Sequence, residues 1–325
     1  MKKRVLLAVI PLMAFISYII YIFLPVYVEE ETVEIAYGTP TVEIVNILKE
    51  EGIIRSRLSF LIIHAIRKEK LEAGEYEFDG YVTPFEVYEK ISKGIHKIHR
   101  VVIPEGSDIY DIAEILHSKG ICRKEDFIRY ATSPEVAKRY GLGTLTMEGF
   151  LFPDTYFFSK NTHPLRVIEV MHRNFLERTK ELREEALRKG LTIEKWVTIA
   201  SMIEKETFWE EEKPLIAAVI YNRLKKRMKL QIDPTVIYAL KRRGLWRGRL
   251  TKEDMTIDDP YNTYLYFGLP PTPICNPGLS SLRAALYPAD VDYLYFVIDP
   301  KKRRHLFSRT YSEHLRNVNR LRKAR

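Results

Sequence analysis

The chain has 325 residues, 46% of them hydrophobic and 29% charged, with 15 glycines and only 2 cysteines. That balance excludes a disordered, collagen-like or disulfide-built protein and leaves room for one large core or two smaller ones. A formal charge of +9 suits nucleic acid, an anionic membrane surface or an anionic polymer equally well.

The N-terminus narrows the choice. Residues 5–24, "VLLAVIPLMAFISYIIYIFL", carry no charge, and at about 1.5 Å per residue they reach about 30 Å, the thickness of a bilayer's hydrocarbon core. They predict a single transmembrane helix with Pro11 inside it, which membrane helices tolerate. Lys2, Lys3 and Arg4 precede this run and Glu29, Glu30 and Glu31 follow it. The charge order predicts a cytoplasmic tail at 1–4 and, after a linker at 25–32, a body outside the cell membrane, the inner one where there are two. A cleaved signal peptide is the alternative, but the apolar run is long for one and no small-x-small site follows. Nucleic acid then falls away as a partner, and the membrane takes its place.

Two stretches repeat: "IAYGTPTVEIVNILKEEGIIRSRLSF" from residue 35 and "IPEGSDIYDIAEILHSKGICRKEDFI" from residue 103. Each alternates like a strand, turns at Gly38 or Gly106, and enters an amphipathic helix through Thr39 or Ser107, residues that favour an N-cap. Each helix is expected to stop at Gly52 or Gly120. A second helix and an extended segment follow in both copies, so the predicted unit is strand, helix, helix, strand, over 33–98 and again over 99–160. The pattern resembles LysM-like carbohydrate-binding modules, which implies glycan binding; a compact spacer is the other reading.

From residue 161 to 325 long helical patterns alternate with short strands, predicting a mixed α+β catalytic domain. Cys122 and Cys275 read as small core residues. The histidines show no metal-ligand spacing, so no metal and no cofactor is expected.

The stretch "IASMIEKET" at 199–207 carries the chemistry. On a helix, Glu204 lies in a stripe with Val197, Ala200, Ser201 and Phe208, beside Trp196 and Ile203, while Glu206 points to the opposite side and is expected to be solvated. A carboxyl group among apolar neighbours has its charged form disfavoured, which is the state glycosidic cleavage asks of a general acid. A surface glutamate that merely borders the core is the alternative. "LQIDPTVIY" places Gln231, Asp233 and Thr235 at alternate positions before a helix, as substrate contacts or as a helix cap. The loop "YNTYLYFGLPPTPICNPG" offers Tyr261, Asn262, Thr263 and Asn276 among prolines that stiffen it, residue types suited to a saccharide groove.

Together "EGFLFPDTYFF", "IASMIEKET", "VIYNRL", "LQIDPTVIY", "YNTY", "GLPPTPICNPG", "SLRAALYPA" and "YLYFV" resemble the membrane-anchored endolytic murein transglycosylases, the MltG or YceG-like family. The resemblance runs in order from about residue 33 to the C-terminus. It implies Glu204 as the catalytic acid, peptidoglycan glycan strands as substrate, and cleavage of the MurNAc–GlcNAc β-1,4 bond with 1,6-anhydro ends. It also implies termination of strand elongation beside peptidoglycan synthases. Two other readings stay open on the residues themselves: a hydrolase using Glu204 and Asp233, and a non-catalytic wall-binding scaffold.

Overall fold

The computed structural model describes residues 2–323, with side chains from residue 9 onward. The chain forms two compact units, one holding residues up to His99 together with Phe157–Asn161, the other holding Arg100–Tyr156 and the chain from Thr162.

The first unit begins with α1 (Lys2–Phe23) and continues through β1 (Val26–Ile35), α2 (Thr41–Glu50), α3 (Arg57–Arg67), β2 (Gly74–Val82) and α4 (Pro84–Ser92). β1 and β2 pair antiparallel, from Val26 opposite Val82 to Ile35 opposite Gly74, with an irregularity between Val28 and Glu31. Val33, Ile35, Tyr76 and Phe78 on these strands bury themselves against Leu48 of α2 and Phe60 of α3. Gly52 closes α2 with φ +71°, a left-handed conformation open to glycine at little cost. The helix does not start on the Thr39 side chain: Pro40 stands at its N-cap without a side-chain bond, and Thr39 Oγ1 turns back to the Ala36 carbonyl at 2.9 Å.

The expected transmembrane helix is not borne out. Among the described residues no helix is long and apolar enough to cross a membrane. The side chains of residues 1–8, the expected tail and the start of the expected span, lie outside the described ones. The helix that holds the expected span is α1, Lys2–Phe23. Its C-terminal end is also committed to protein: Ile22 is buried, Phe23 stacks on Phe85 at 5.4 Å, and the Arg55 guanidinium lies 5.3 Å from the Tyr21 ring.

The chain then runs through β3 (His99–Val102), α5 (Ile109–Ser118), α6 (Lys124–Ala131), α7 (Pro134–Arg139) and β4 (Thr155–Phe158), with β3 and β4 in a second two-stranded sheet. This copy carries a third helix, α7, beyond the two that its sequence suggests. Its first helix is capped by Asp108, with a reciprocal capping box to Asp111, one residue later than the expected Ser107. After it come α8 (Pro164–Arg178), α9 (Lys180–Arg188), α10 (Ile193–Glu206), α11 (Lys213–Lys225), α12 (Asp233–Arg242), α13 (Leu279–Leu286), the hairpin β5 (Tyr295–Asp299) and β6 (Arg304–Ser308), and α14 (Tyr311–Lys323). The class is mixed α+β, with helices dominating and strands few.

Within the second unit α10 is the central element. Every residue from Trp196 to Ile203 is buried, as expected of a helix that is apolar or small on all sides. Gly149 shows how tightly it is enclosed: a Cβ there would come 2.5 Å from Pro273 and 2.8 Å from Val197 on α10, and its φ is +88°.

Asn276 knits early and late chain together. Its Oδ1 accepts the Leu151 N–H at 2.9 Å, and its Nδ2 donates to the Ser107 carbonyl at 2.9 Å and to Glu148 Oε1 at 3.0 Å. The other Glu148 oxygen accepts the Ile109 N–H at the start of α5, at 3.0 Å. Burial, and then the nearby Asp108, push the Glu148 carboxyl well above its ordinary range. The substitution Asn276→Ala would leave several buried polar groups without partners, each costing about 1–3 kcal/mol. We expect a loss of about 3 kcal/mol or more, measurable by urea denaturation.

Candidate active site

α10 opens on Thr192, whose hydroxyl accepts the Lys195 N–H, and closes at Thr207. At that closing end the two glutamates of "EKET" leave on different sides and meet different chemistry.

Glu204 is nearly buried, with its side chain 7% exposed, and faces an equally buried cation: Lys213 Nζ lies 3.6 Å from Oε1. Its Oε2 accepts the Gly278 N–H at 3.0 Å. A Cβ on Gly278 would meet the Glu105 carboxyl at about 2.0 Å. Lys213 also reaches Glu210 at 3.2 Å and Ser280 Oγ at 2.5 Å. Phe208 and Trp196 do not form the apolar wall expected around Glu204. Phe208 is 96% exposed, and Trp196 is turned inward, its Nε1 donating to the Leu282 carbonyl at 2.8 Å.

Glu206 is not solvated as expected but half-buried. Burial, and then the charge of Asp233, push its carboxyl up to about 8. Asp233 opens α12, and its Oδ1 accepts the Tyr264 hydroxyl at 2.5 Å. Burial and this bond push the Tyr264 hydroxyl above its ordinary range. Gln231, with φ +54°, holds the approach to α12: its N–H donates to the Thr263 carbonyl at 3.1 Å, and its side chain accepts from Arg223 at 3.3 Å. The site therefore joins Glu206, Asp233, Tyr264 and Gln231. Exposed rings, Phe208 beside Glu206 in sequence and Tyr266 and Phe267 beside Tyr264, stand on the same two segments.

The remaining expected contacts are bonded to other parts of the chain. Thr235 is buried, with its hydroxyl bonded to the Ile232 carbonyl at 2.6 Å and to Thr263 Oγ1 at 2.9 Å. Thr263 in turn accepts the Ile232 N–H at 3.0 Å. Asn262 spends its amide on the Met255 and Ile257 carbonyls, both at 2.9 Å. Tyr261 is buried and bonded to Thr272 at 2.6 Å. Asn276 is wholly enclosed in the knot described above. Asp259, fully buried, ties the loop to α12 through Arg242 at 2.7 Å and Arg243 Nε at 2.8 Å. Among the described residues no group of three His, Cys, Asp or Glu side chains is placed to hold a metal.

Glu206 and Tyr264 escape a reading by helical wheel. The signal that would have found Glu206 is the run before it: eight residues with no charged member leave that part of α10 without a solvent face.

The sequence profile of the YceG-like family matches residues 33–320. The chain belongs to the YceG-like family. The endolytic murein transglycosylase of Bacillus subtilis (strain 168) is 31% identical over 299 residues, covering 87% of this chain and 82% of that protein. The endolytic murein transglycosylase of Streptococcus pneumoniae serotype 2 (strain D39) is 28% identical over 316 residues, 88% of this chain but 57% of the longer pneumococcal protein. A crystal structure of a YceG-like protein of Listeria monocytogenes is similar with a TM-score of 0.62 and 34% identity, over 89% of this chain and 99% of that one.

In this YceG-like chain Lys213 and Glu204 form a buried ion pair. Removing one partner of such a pair leaves an uncompensated charge and costs about 3–5 kcal/mol. Lys213→Met is expected to lower stability by about 3 kcal/mol, read as a shift in denaturant midpoint, and Lys213→Met combined with Glu204→Gln should recover most of it.

Proposed function

We propose that this chain cuts the β-1,4 bond between N-acetylmuramic acid and N-acetylglucosamine inside peptidoglycan strands and leaves 1,6-anhydro ends, with Glu206 as the acid that becomes the base. The chain is a lytic transglycosylase of peptidoglycan, the activity for which its YceG-like relatives in Bacillus and Streptococcus are named. One observation carries the assignment to Glu206: burial and the charge of Asp233 push its carboxyl up to about 8, at the end of a helix whose residues from Trp196 to Ile203 are buried. Glu204, which the family resemblance points to, is occupied by Lys213 and the Gly278 N–H.

The proton of Glu206 passes to the glycosidic oxygen as the bond from muramic acid C1 breaks. The resulting carboxylate takes the proton of the C6 hydroxyl as O6 closes on C1. No water is consumed, and the anhydro end is one water lighter than a hydrolytic end. Asp233, with its charge beside Glu206, is placed to favour the positive charge that develops at C1, and the bond from Tyr264 orients it. A hydrolase reading survives on that same observation, because a second carboxylate near the acid is what a glycosidase uses; the mass of the product separates the two. The substrate's chemistry puts the work outside the cytoplasm. Cutting nascent strands would end their elongation beside the synthases that make them.

On uncrosslinked glycan strands, Glu206→Gln is expected to slow release of anhydro products by about 10³-fold, while Glu204→Gln, which keeps the acceptor for Gly278, slows it by less than about tenfold. The reverse order would return the acid's role to Glu204.

The pH dependence follows from the sign of the shift. Glu206 works protonated and its carboxyl is raised to about 8, so kcat/KM is full well below that value and falls as pH rises through it. Asp233→Asn removes a charge that raises it, and the alkaline limb is expected to move to lower pH, though not to the ordinary glutamate value, because burial remains.

A further inference from the structure

Glu206 poses a positioning problem. Among the described residues its carboxyl makes no hydrogen bond and no ion pair, and a bond from a cation would draw off the proton it must keep. Its direction must then be fixed through the backbone of the last turn of α10, and the next residue supplies the hold.

Thr207 caps that turn with extended backbone, φ −146° and ψ 143°, and is buried. Its hydroxyl accepts the Trp209 N–H at 3.1 Å and donates to Glu212 Oε2 at 3.0 Å. Glu212, also buried, stands just before α11. Its two oxygens are taken from the far hairpin: Oε1 accepts the His305 N–H at 3.0 Å, and Oε2 lies 2.7 Å from His305 Nδ1. His305 has its side chain 5% exposed and is packed edge-on against Phe296 at 5.2 Å. Beside it, the Arg304 guanidinium lies 3.7 Å from the centre of the Trp209 ring, and Trp209 Nε1 donates to the Arg303 carbonyl at 2.6 Å. The β5–β6 hairpin thus grips the segment leaving α10 at two points.

We propose that Glu212 and His305 are positioning residues for Glu206, acting through the Thr207 hydroxyl to hold the last turn of α10 and keep its acid shielded from water. The inference rests on the role given to Glu206 above. Neither residue touches the reacting atoms. Their effect is on geometry, where a displacement of about 1 Å costs on the order of 100-fold in rate, and on shielding, which keeps the acid neutral.

The test uses the whole chain in five forms: wild type, Thr207→Val, Glu212→Gln, His305→Ala and His305→Asn. Asparagine can present an N–H close to where His305 Nδ1 stands. Two quantities are read: kcat and KM on uncrosslinked strands, and the titration of the Glu206 carboxyl itself by 13C NMR, which does not depend on any activity. Thr207→Val and His305→Ala are expected to lower kcat about 10- to 100-fold with KM within about twofold, and to move the Glu206 titration down from about 8. His305→Asn should recover most of both, and Glu212→Gln, which keeps an acceptor for Thr207, should fall between. Should Thr207→Val and His305→Ala lower only the melting temperature, leaving kcat and the Glu206 titration at wild-type values, the two residues are structural and the proposal is wrong. A downward titration shift without loss of kcat would uphold the positioning and overturn the role of Glu206 in catalysis. If His305→Ala does not fold, the Thr207→Val and His305→Asn pair decides the matter alone.

Discussion

The structure is organised by the complete enclosure of one helix. α10 buries its residues on every side, and such an element has only its ends through which to meet solvent. Two carboxylates at one end of it cannot share an environment. One turns into a pocket with a cation, the other toward a second carboxylate, and their chemistry diverges although they stand two residues apart. Pairs of titratable groups separated in this way are how a single fold makes an acid available at neutral pH. Here the separation comes from packing, since Lys213 is delivered by α11 and Asp233 by α12.

Enclosure of a helix needs a shell, and most of the polar residues around it serve that end. Thr235 and Thr263 bond to each other, Asn262 folds its own loop, and Asn276 ties three segments of chain. Buried polar groups are retained when their bonds are all made, and these are. The prolines of the 260–277 loop reduce the freedom it must lose on folding, and the Asp259 anchor fixes where it begins. A wall of this kind lets Tyr264 hold Asp233 at a defined place.

Much of this architecture can be read from residue types alone, where the physics is local. The stops of α2 at Gly52 and of α5 at Gly120 follow from cap chemistry, and both are found. The strand, helix, helix, strand order of the first repeat is likewise found as β1, α2, α3 and β2. Where the outcome depends on what packs against an element from elsewhere, a single sequence is silent. The wheel places Glu206 opposite Glu204 correctly but assumes water on that side. The amides and hydroxyls of the 260–277 loop have the composition of a sugar site, and composition does not distinguish a group facing a ligand from one facing its own backbone. The apolar N-terminal run has the hydrophobicity of a span, yet among the described residues no helix qualifies, and Ile22 and Phe23 are spent on the first unit.

The hold on the last turn of α10 comes from residues far along the chain. Glu212 waits for His305, 93 positions later, and the start of α5 waits for Asn276. Contacts so distant in sequence are the last that a polypeptide makes as it leaves the ribosome or a translocation pore, and they form slowly. A partly emerged chain would therefore carry both glutamates yet lack the hairpin's bonds to Glu212.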